Sequence, residues 1–396
     1  MIKRVLIFTL AILVLMPTLV ANALVQPSEQ VTHQEASRVA KDYLRNEGRN
    51  LTPEWNSVQT EEPVLYYDNN GNPDSFIVPL KKKGVEVGFI TVSASKEYYP
   101  VKEAVETAPL HLKVNKVIKS IENILPVNQK VGNIQFIHDG ALEYLAKAEI
   151  LEGKVVKGVR YFDLMTDKVL PEKYTPVSKK GIPEDQTNVK KVWGKILDPV
   201  VTIQSVHIEP GTGATYSDDI TDLPSYIQGS YNDCGPTSGA MVLGWWDIHG
   251  YTQLQADSDR ATGVQLRDAL YTAMGTGWDG TGVYGYKNGI SSYWQSKVGT
   301  TPTTSSANWS SGYTTVWNLG ITELGAGRPV GMLIGSTKYG DNLAYNYHWV
   351  AGRKFYDGGQ GNRFVKVNDG AGYTASLNFD DYWAAKDDIA FVSARP

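Results

Sequence analysis

"YNDCGPTSGAMVLGWW", Tyr231 to Trp246, holds the only cysteine of a 396-residue chain. The reading of this stretch decides the fold. Gly235 and Pro236 follow Cys234, and proline is favoured in the first turn of a helix, where its missing N–H costs nothing. From Thr237 onward the run is apolar nearly all round, through Met241, Leu243, Trp245, Trp246 and Ile248. The stretch therefore predicts a buried helix with Cys234 at its N-terminus. Free N–H groups and the positive end of the helix dipole would face the sulfur, lower its pKa and favour the nucleophilic thiolate. The alternative is a small buried apolar cysteine, common in cores.

A nucleophile needs a base, and the chain has six histidines. His33, His111 and His138 lie in the N-terminal half. His207 precedes the helical region, in a stretch read as strand. His249 falls at the far end of the cysteine helix, about 22 Å away at the α-helical rise. That leaves His348, in a strand of the later sheet. An orienting group is offered by "FVKVNDG" (Phe364–Gly370). Alternation puts Asp369 on the face of Val365 and Val367, and Asn368 on the face of Lys366. The valine face is the one expected to be buried with His348, so Asp369 is preferred and Asn368 is its alternative. Acyl transfer also needs oxyanion donors. The Cys234 N–H is one, and the Gln228 side-chain amide, six residues before the cysteine, is the other.

Gln228-x5-Cys234-Gly235-Pro236-Thr237, then His348-Trp349-Val350, then Val367-Asn368-Asp369-Gly370 resemble papain-fold cysteine peptidases. The nearest pattern is that of the C39-like group, which runs D-C-G-P, H-x-V-V, N-D-P. The resemblance covers roughly residues 200–396. It implies a papain-like α+β catalytic domain, a helical lobe plus an antiparallel sheet. It also implies a Cys234–His348–Asp369 triad with Gln228 at the oxyanion hole. Papain-type enzymes carry Asn in this region, which keeps Asn368 in play, and Gly370 stands where the C39 pattern has proline.

The rest of the chain sets the context. Lys3 and Arg4, an apolar run from Val5 to Met16 and Ala21-Asn22-Ala23 predict a signal peptide, residues 1–23, cleaved after Ala23. The apolar run is short of the roughly 20 residues a spanning helix needs. The mature protein is thus expected to be secreted or on the cell surface, without stable membrane insertion. Net charge is -4, and no basic run interleaved with aromatics points to nucleic acid. The chemistry calls for no cofactor or metal. "DNNGNPD" (Asp68–Asp74) reads as a tight turn, because Pro73 stands where a calcium loop needs glycine.

Composition changes near residue 200: 28 of 38 glycines and eight of ten tryptophans follow it. Residues 24–176 read as an α+β, hairpin-rich domain. Thr32 and Glu35 form a capping box for a helix that Gly48 would end, and "SFIVPL" and "VEVGFITVSA" pair across "KKKG". "ALEYLAKAEILEGKVVKGVRYFDLMT" reads as further hairpin sheet. Residues 177–199 read as a Lys-rich linker. An inert domain before a peptidase is expected to be an intramolecular inhibitor, so that the enzyme is made as a latent precursor. In the C-terminal half, "GVQLRDALYTAM" and "TVWNLGITELGAG" read as helices. "RPVGMLIGS", "YHWVAGRKFY", "NRFVKVND" and "DIAFVSA" read as strands. Two other functions stay open: an amidase acting on cell-wall peptide cross-links, and a catalytically dead surface-binding protein using Gly- and Trp-rich loops such as Gly275–Gly289.

Overall fold

Thr32 caps α1 (His33–Tyr43) as its sequence predicts: its hydroxyl accepts from the Glu35 N–H while the Glu35 carboxylate accepts from Thr32 N. The helix does not stop at Gly48. It passes through a π turn (Leu44–Gly48) into the short α2 (Arg49–Leu51), with Gly48 at an ordinary helical φ of -58°. The computed structural model describes residues 29–138, 142–171, 185–197, 214–230, 232–277, 280–335, 347–384 and 389–396. The expected signal peptide, His207 and the first part of the Lys-rich segment lie outside them.

The N-terminal strands are β1 (Gln59–Thr60), β2 (Val64–Tyr67), β3 (Pro73–Lys82), β4 (Val85–Ser93) and β5 (Val101–Val105). After α3 (Val114–Glu122) come β6 (Gln129–His138), β7 (Tyr144–Glu152), β8 (Val155–Asp163) and β9 (Lys168–Val169). The predicted β3–β4 hairpin pairs Lys82 with Val85 across Lys83 and Gly84, at φ 54° and 81°. Positive φ at both turn residues matches strand twist. Asp68–Asp74 forms the expected turn, in which Asp68 Oδ1 accepts from Asn72 N at 2.8 Å.

Part of the supposed linker is a helix. α4 (Gln186–Leu197) buries Val189 and Trp193 against α1, and Trp193 Nε1 donates to Tyr98 O at 2.7 Å. Its lysines are the solvated face of an amphipathic helix.

The C-terminal half runs β10 (Thr215–Tyr216), α5 (Cys234–Ile248), α6 (Val264–Ala273), α7 (Val283–Val298), β11 (Thr303–Asn308) and α8 (Tyr313–Gly325). It ends with β12 (Val330–Gly335), β13 (Tyr347–Asp357), β14 (Arg363–Asn368), β15 (Thr374–Asn378), α9 (Phe379–Ala384) and β16 (Ala390–Arg395). Half of the Gly275–Gly289 stretch read as a loop belongs to α7. Its glycines permit close packing, since a Cβ at Gly285 or Gly289 would come within 2.5 Å of Met274.

The described strands of both halves join in one mostly antiparallel sheet. Its order is β11-β16-β12-β13-β14-β15-β5-β4-β3-β2-β6-β7-β8-β9. The seam is β15 against β5, with Ala375 opposite Val105. The two larger apolar cores cross it. One runs from Phe89 and Tyr144 to Met241 and Trp349, and the other gathers α1, α4, Tyr356 and Phe364. Buried polar groups cross it too. Tyr382 donates to Glu103 at 2.8 Å, and Lys366, 3% exposed, pairs with Glu106 at 2.9 Å. Both faces of β14 are therefore covered, including the lysine face expected to be open.

Candidate active site

Cys234 opens α5 as predicted, and its side chain is buried. Asp233 precedes it as N-cap, but its carboxylate turns back into the loop rather than capping the helix. Oδ2 accepts from the Gly229 and Ser230 N–H groups, each at 3.0 Å, and lies 3.4 Å from Arg267 Nε. Arg267 Nη1 also donates to Ile227 O at 3.4 Å. The loop carrying Gln228 is thus clamped from both sides. Sequence reading missed Asp233 and Arg267; an aspartate directly before a helix start was the available signal.

β13 is locked onto α5 one turn beyond the cysteine. Ser238 Oγ donates to Val350 O at 2.8 Å. Trp349 stacks on Tyr286 at 4.0 Å, and its indole N–H donates to Thr281 O at 2.7 Å. The main-chain N–H of Trp349 is directed at the Cys234 sulfur, so the strand that carries His348 lies against the start of α5.

Electrostatics differ from the expected resting thiolate. Burial pushes the thiol up to about 11; the N–H groups of Trp349, Gly235 and Cys234 lower it by less, and Asp233 adds to the rise. A helix N-terminus offers part of a charge, and desolvation here outweighs it. Burial also holds His348 below its ordinary value, opposed by its bond to the Asp369 main chain. Burial thus disfavours the charged form of both groups, against the thiolate expected from the helix N-terminus alone.

His348 Nε2 lies 2.6 Å from the Asp369 main-chain oxygen. A carbonyl only accepts, so Nε2 carries the proton and Nδ1 keeps its lone pair. Register agrees with alternation: Ala351 pairs with Asn368, which leaves Asp369 on the His348 side. Its carboxylate nevertheless turns away. Oδ1 accepts from Ala371 N and Tyr373 N, both at 2.8 Å, and Oδ2 is buried without a hydrogen-bond partner among the described residues. Burial raises this carboxyl to about 7, against the lowering effect of those backbone donors. Asn368 is engaged elsewhere, accepting from Arg353 at 3.1 Å and donating to Leu223 O and Pro224 O. At the imidazole Nε2 a main-chain carbonyl thus stands where an orienting side chain, Asp369 or Asn368, was expected.

Gln228 comes to the same place. Its N–H donates to Gly370 O at 2.8 Å, and its side-chain Oε1 is buried with no hydrogen-bond partner among the described residues. Gly370, at φ +77°, sits above the first turn of α5; a Cβ there would lie 3.6 Å from Thr237 and 3.8 Å from Gln228 Oε1. Proline cannot adopt that φ, which accounts for glycine at this position. His249, the excluded candidate, bonds to Trp245 O and pairs with Asp222 at the far end of α5. Among the described residues no group of three or more His, Cys, Asp or Glu forms a metal cluster, and no helix is long and apolar enough to cross a membrane.

Residues 220–389 match the sequence model of the Peptidase_C39 like family, a span that contains Gln228, Cys234, His348 and Asp369. No curated protein matches the chain.

Proposed function

We propose that this C39-like region is a cysteine peptidase that uses Cys234 as nucleophile and His348 as base. The observation that carries the reading is the chain's one thiol at a helix N-terminus, with a strand hydrogen-bonded to that helix presenting a histidine whose Nε2 lies against the Asp369 carbonyl. From a neutral pair, Nδ1 accepts the thiol proton as the sulfur attacks the peptide carbonyl carbon. The Cys234 N–H and the Gln228 side-chain amide hold the oxyanion. The imidazolium then protonates the leaving amine, and a water activated by the same nitrogen hydrolyses the thioester. The Asp369 carbonyl keeps the tautomer fixed throughout.

Export follows from the proposed signal peptide, so the substrate class is extracellular protein or peptide. Cell-wall peptide cross-links would be cut by the same steps. The expected inhibitory role of the N-terminal half concerns the seam between β5 and β15. That pairing is the contact through which the N-terminal half would inhibit or support the reaction, and a rise or a fall in kcat when it is weakened distinguishes the two.

Hydrolysis of casein and of a fluorogenic peptide by the full chain tests the proposal. Cys234→Ala and His348→Ala should each abolish turnover without shifting the melting temperature by more than a few degrees. Turnover by Cys234→Ala at the parental rate would rule the mechanism out. Parental protein inert on all amides, yet retaining a ligand, would favour the binding-protein reading.

A further inference from the structure

The turn Asp369–Tyr373 carries both arms of the site. Its first carbonyl, Asp369 O, accepts from His348 Nε2, and its second, Gly370 O, accepts from Gln228 N. Its own shape is set by Tyr373, whose N–H donates to Asp369 Oδ1 and whose carbonyl accepts from Asp369 N at 3.1 Å. Tyr373 is in turn held from the N-terminal half. Lys113 Nζ donates to its hydroxyl at 3.2 Å and lies 5.5 Å from its ring centre, and Glu106 N donates to the next carbonyl, Thr374 O, at 2.8 Å. Lys113 is itself fixed by Leu164 O and by Asp167 at 3.0 Å.

We infer that Lys113 is a positioning residue for the reaction: through Tyr373 it fixes the turn that aims His348 and Gln228, and the N-terminal half thereby completes the active site. The inference rests on the peptidase reading. Its physical ground is the sensitivity of general-base catalysis to small displacements, where about 1 Å of misplacement costs as much as about a hundredfold in rate. A lysine that acts only through a neighbour's hydroxyl should show a kcat effect with little change in KM, and restoration by another donor of the same charge.

The test compares full-length Lys113→Met, Lys113→Arg, Tyr373→Phe and the Lys113→Met/Tyr373→Phe double variant on one fluorogenic peptide, with melting temperatures. Lys116→Met is the control, since Lys116 pairs with the same Asp167 at 2.7 Å but, among the described residues, not with Tyr373. Lys113→Met and Tyr373→Phe should each lower kcat about tenfold with KM within about twofold. The double variant should be no worse than the weaker single one, because one relay is broken twice. Lys113→Arg should return within about threefold of the parent, and Lys116→Met should match it. Parental kcat in a stably folded Lys113→Met would overturn the inference, as would a loss shared by Lys116→Met. A rise in kcat would overturn it too, and would make the N-terminal half a restraint. Iodoacetamide labelling separates the two levels. A parent that hydrolyses nothing, and whose Cys234 labels at the same rate with and without His348→Ala, removes the peptidase reading and this inference with it. A His348-dependent labelling rate that Lys113→Met leaves unchanged removes the inference alone.

Discussion

The imidazole of His348 is held by the main chain of Asp369 and not by its carboxylate, at an Nε2-to-oxygen distance of 2.6 Å. The carboxylate shapes the turn from which that carbonyl projects. Side-chain chemistry at position 369 therefore matters through geometry.

Asp369→Asn keeps an oxygen for the Ala371 and Tyr373 N–H groups, so kcat should stay within about threefold of the parent. Asp369→Ala removes it, and the released turn should cost on the order of a hundredfold in kcat. Steady-state kinetics of the pair decides the point. Equal, severe losses in both would restore the carboxylate to the role of orienting charge.

The thiol should titrate late. With Cys234 pushed up to about 11 by burial, the thiolate fraction is small at neutral pH. The rate of iodoacetamide labelling in the free enzyme should climb about tenfold per pH unit from pH 7 to 9. Mass spectrometry reads a single site, since the chain has one cysteine. A plateau already reached at pH 6 would mean an ion pair forms at rest.

Three buried carboxyls make stability fall with rising pH. Burial raises Asp369 to about 7, Glu47 to about 8 and Asp380 to about 6. Each binds its proton more tightly folded than unfolded. Their cost is absent below about pH 4, where both states are protonated, and grows until each folded value is passed. Melting temperature should drop between pH 5 and pH 8.5, and Asp369→Asn should flatten that slope. His348, lowered by burial, opposes the trend only below its ordinary value. A melting temperature that rises over this interval would contradict the burial assigned to these groups.

Gly370→Ala places a Cβ on a backbone at φ +77°. The left-handed penalty is about 1–2 kcal/mol, and relief of that strain would draw Gly370 O away from Gln228 N. Thermal unfolding should register the strain, and kcat should fall more than the loss of stability alone would explain. Unchanged kcat in a destabilised Gly370→Ala would detach Gln228 from catalysis.

Local signals in the sequence were read well where one residue type has one structural use. The Thr32–Glu35 box, the Lys83–Gly84 turn and the Gly-Pro start of α5 are of that kind. Mixed signals failed. In α4, Val189 and Trp193 are hidden among lysines, and in α7, glycines that let Met274 approach look like loop residues. The pairing of Ala375 with Val105 joins strands from opposite halves and leaves no trace in any local pattern. Cys234, His348 and Gln228 were singled out because side-chain chemistry marks them, and the fold brings Gln228 and His348 to one turn. The acceptor on His348 was missed because every residue has a carbonyl, and only the turn decides which one is used.

The last strand, β16, lies between β11 and β12 in the sheet. Synthesis delivers both of its neighbours first. Until Ala390–Arg395 leaves the ribosome, the sheet that carries His348 has a gap beside β12, and long-range strand pairing of this kind is slow to form. The sheet that carries His348 is therefore closed only once Ala390–Arg395 has paired with both neighbours.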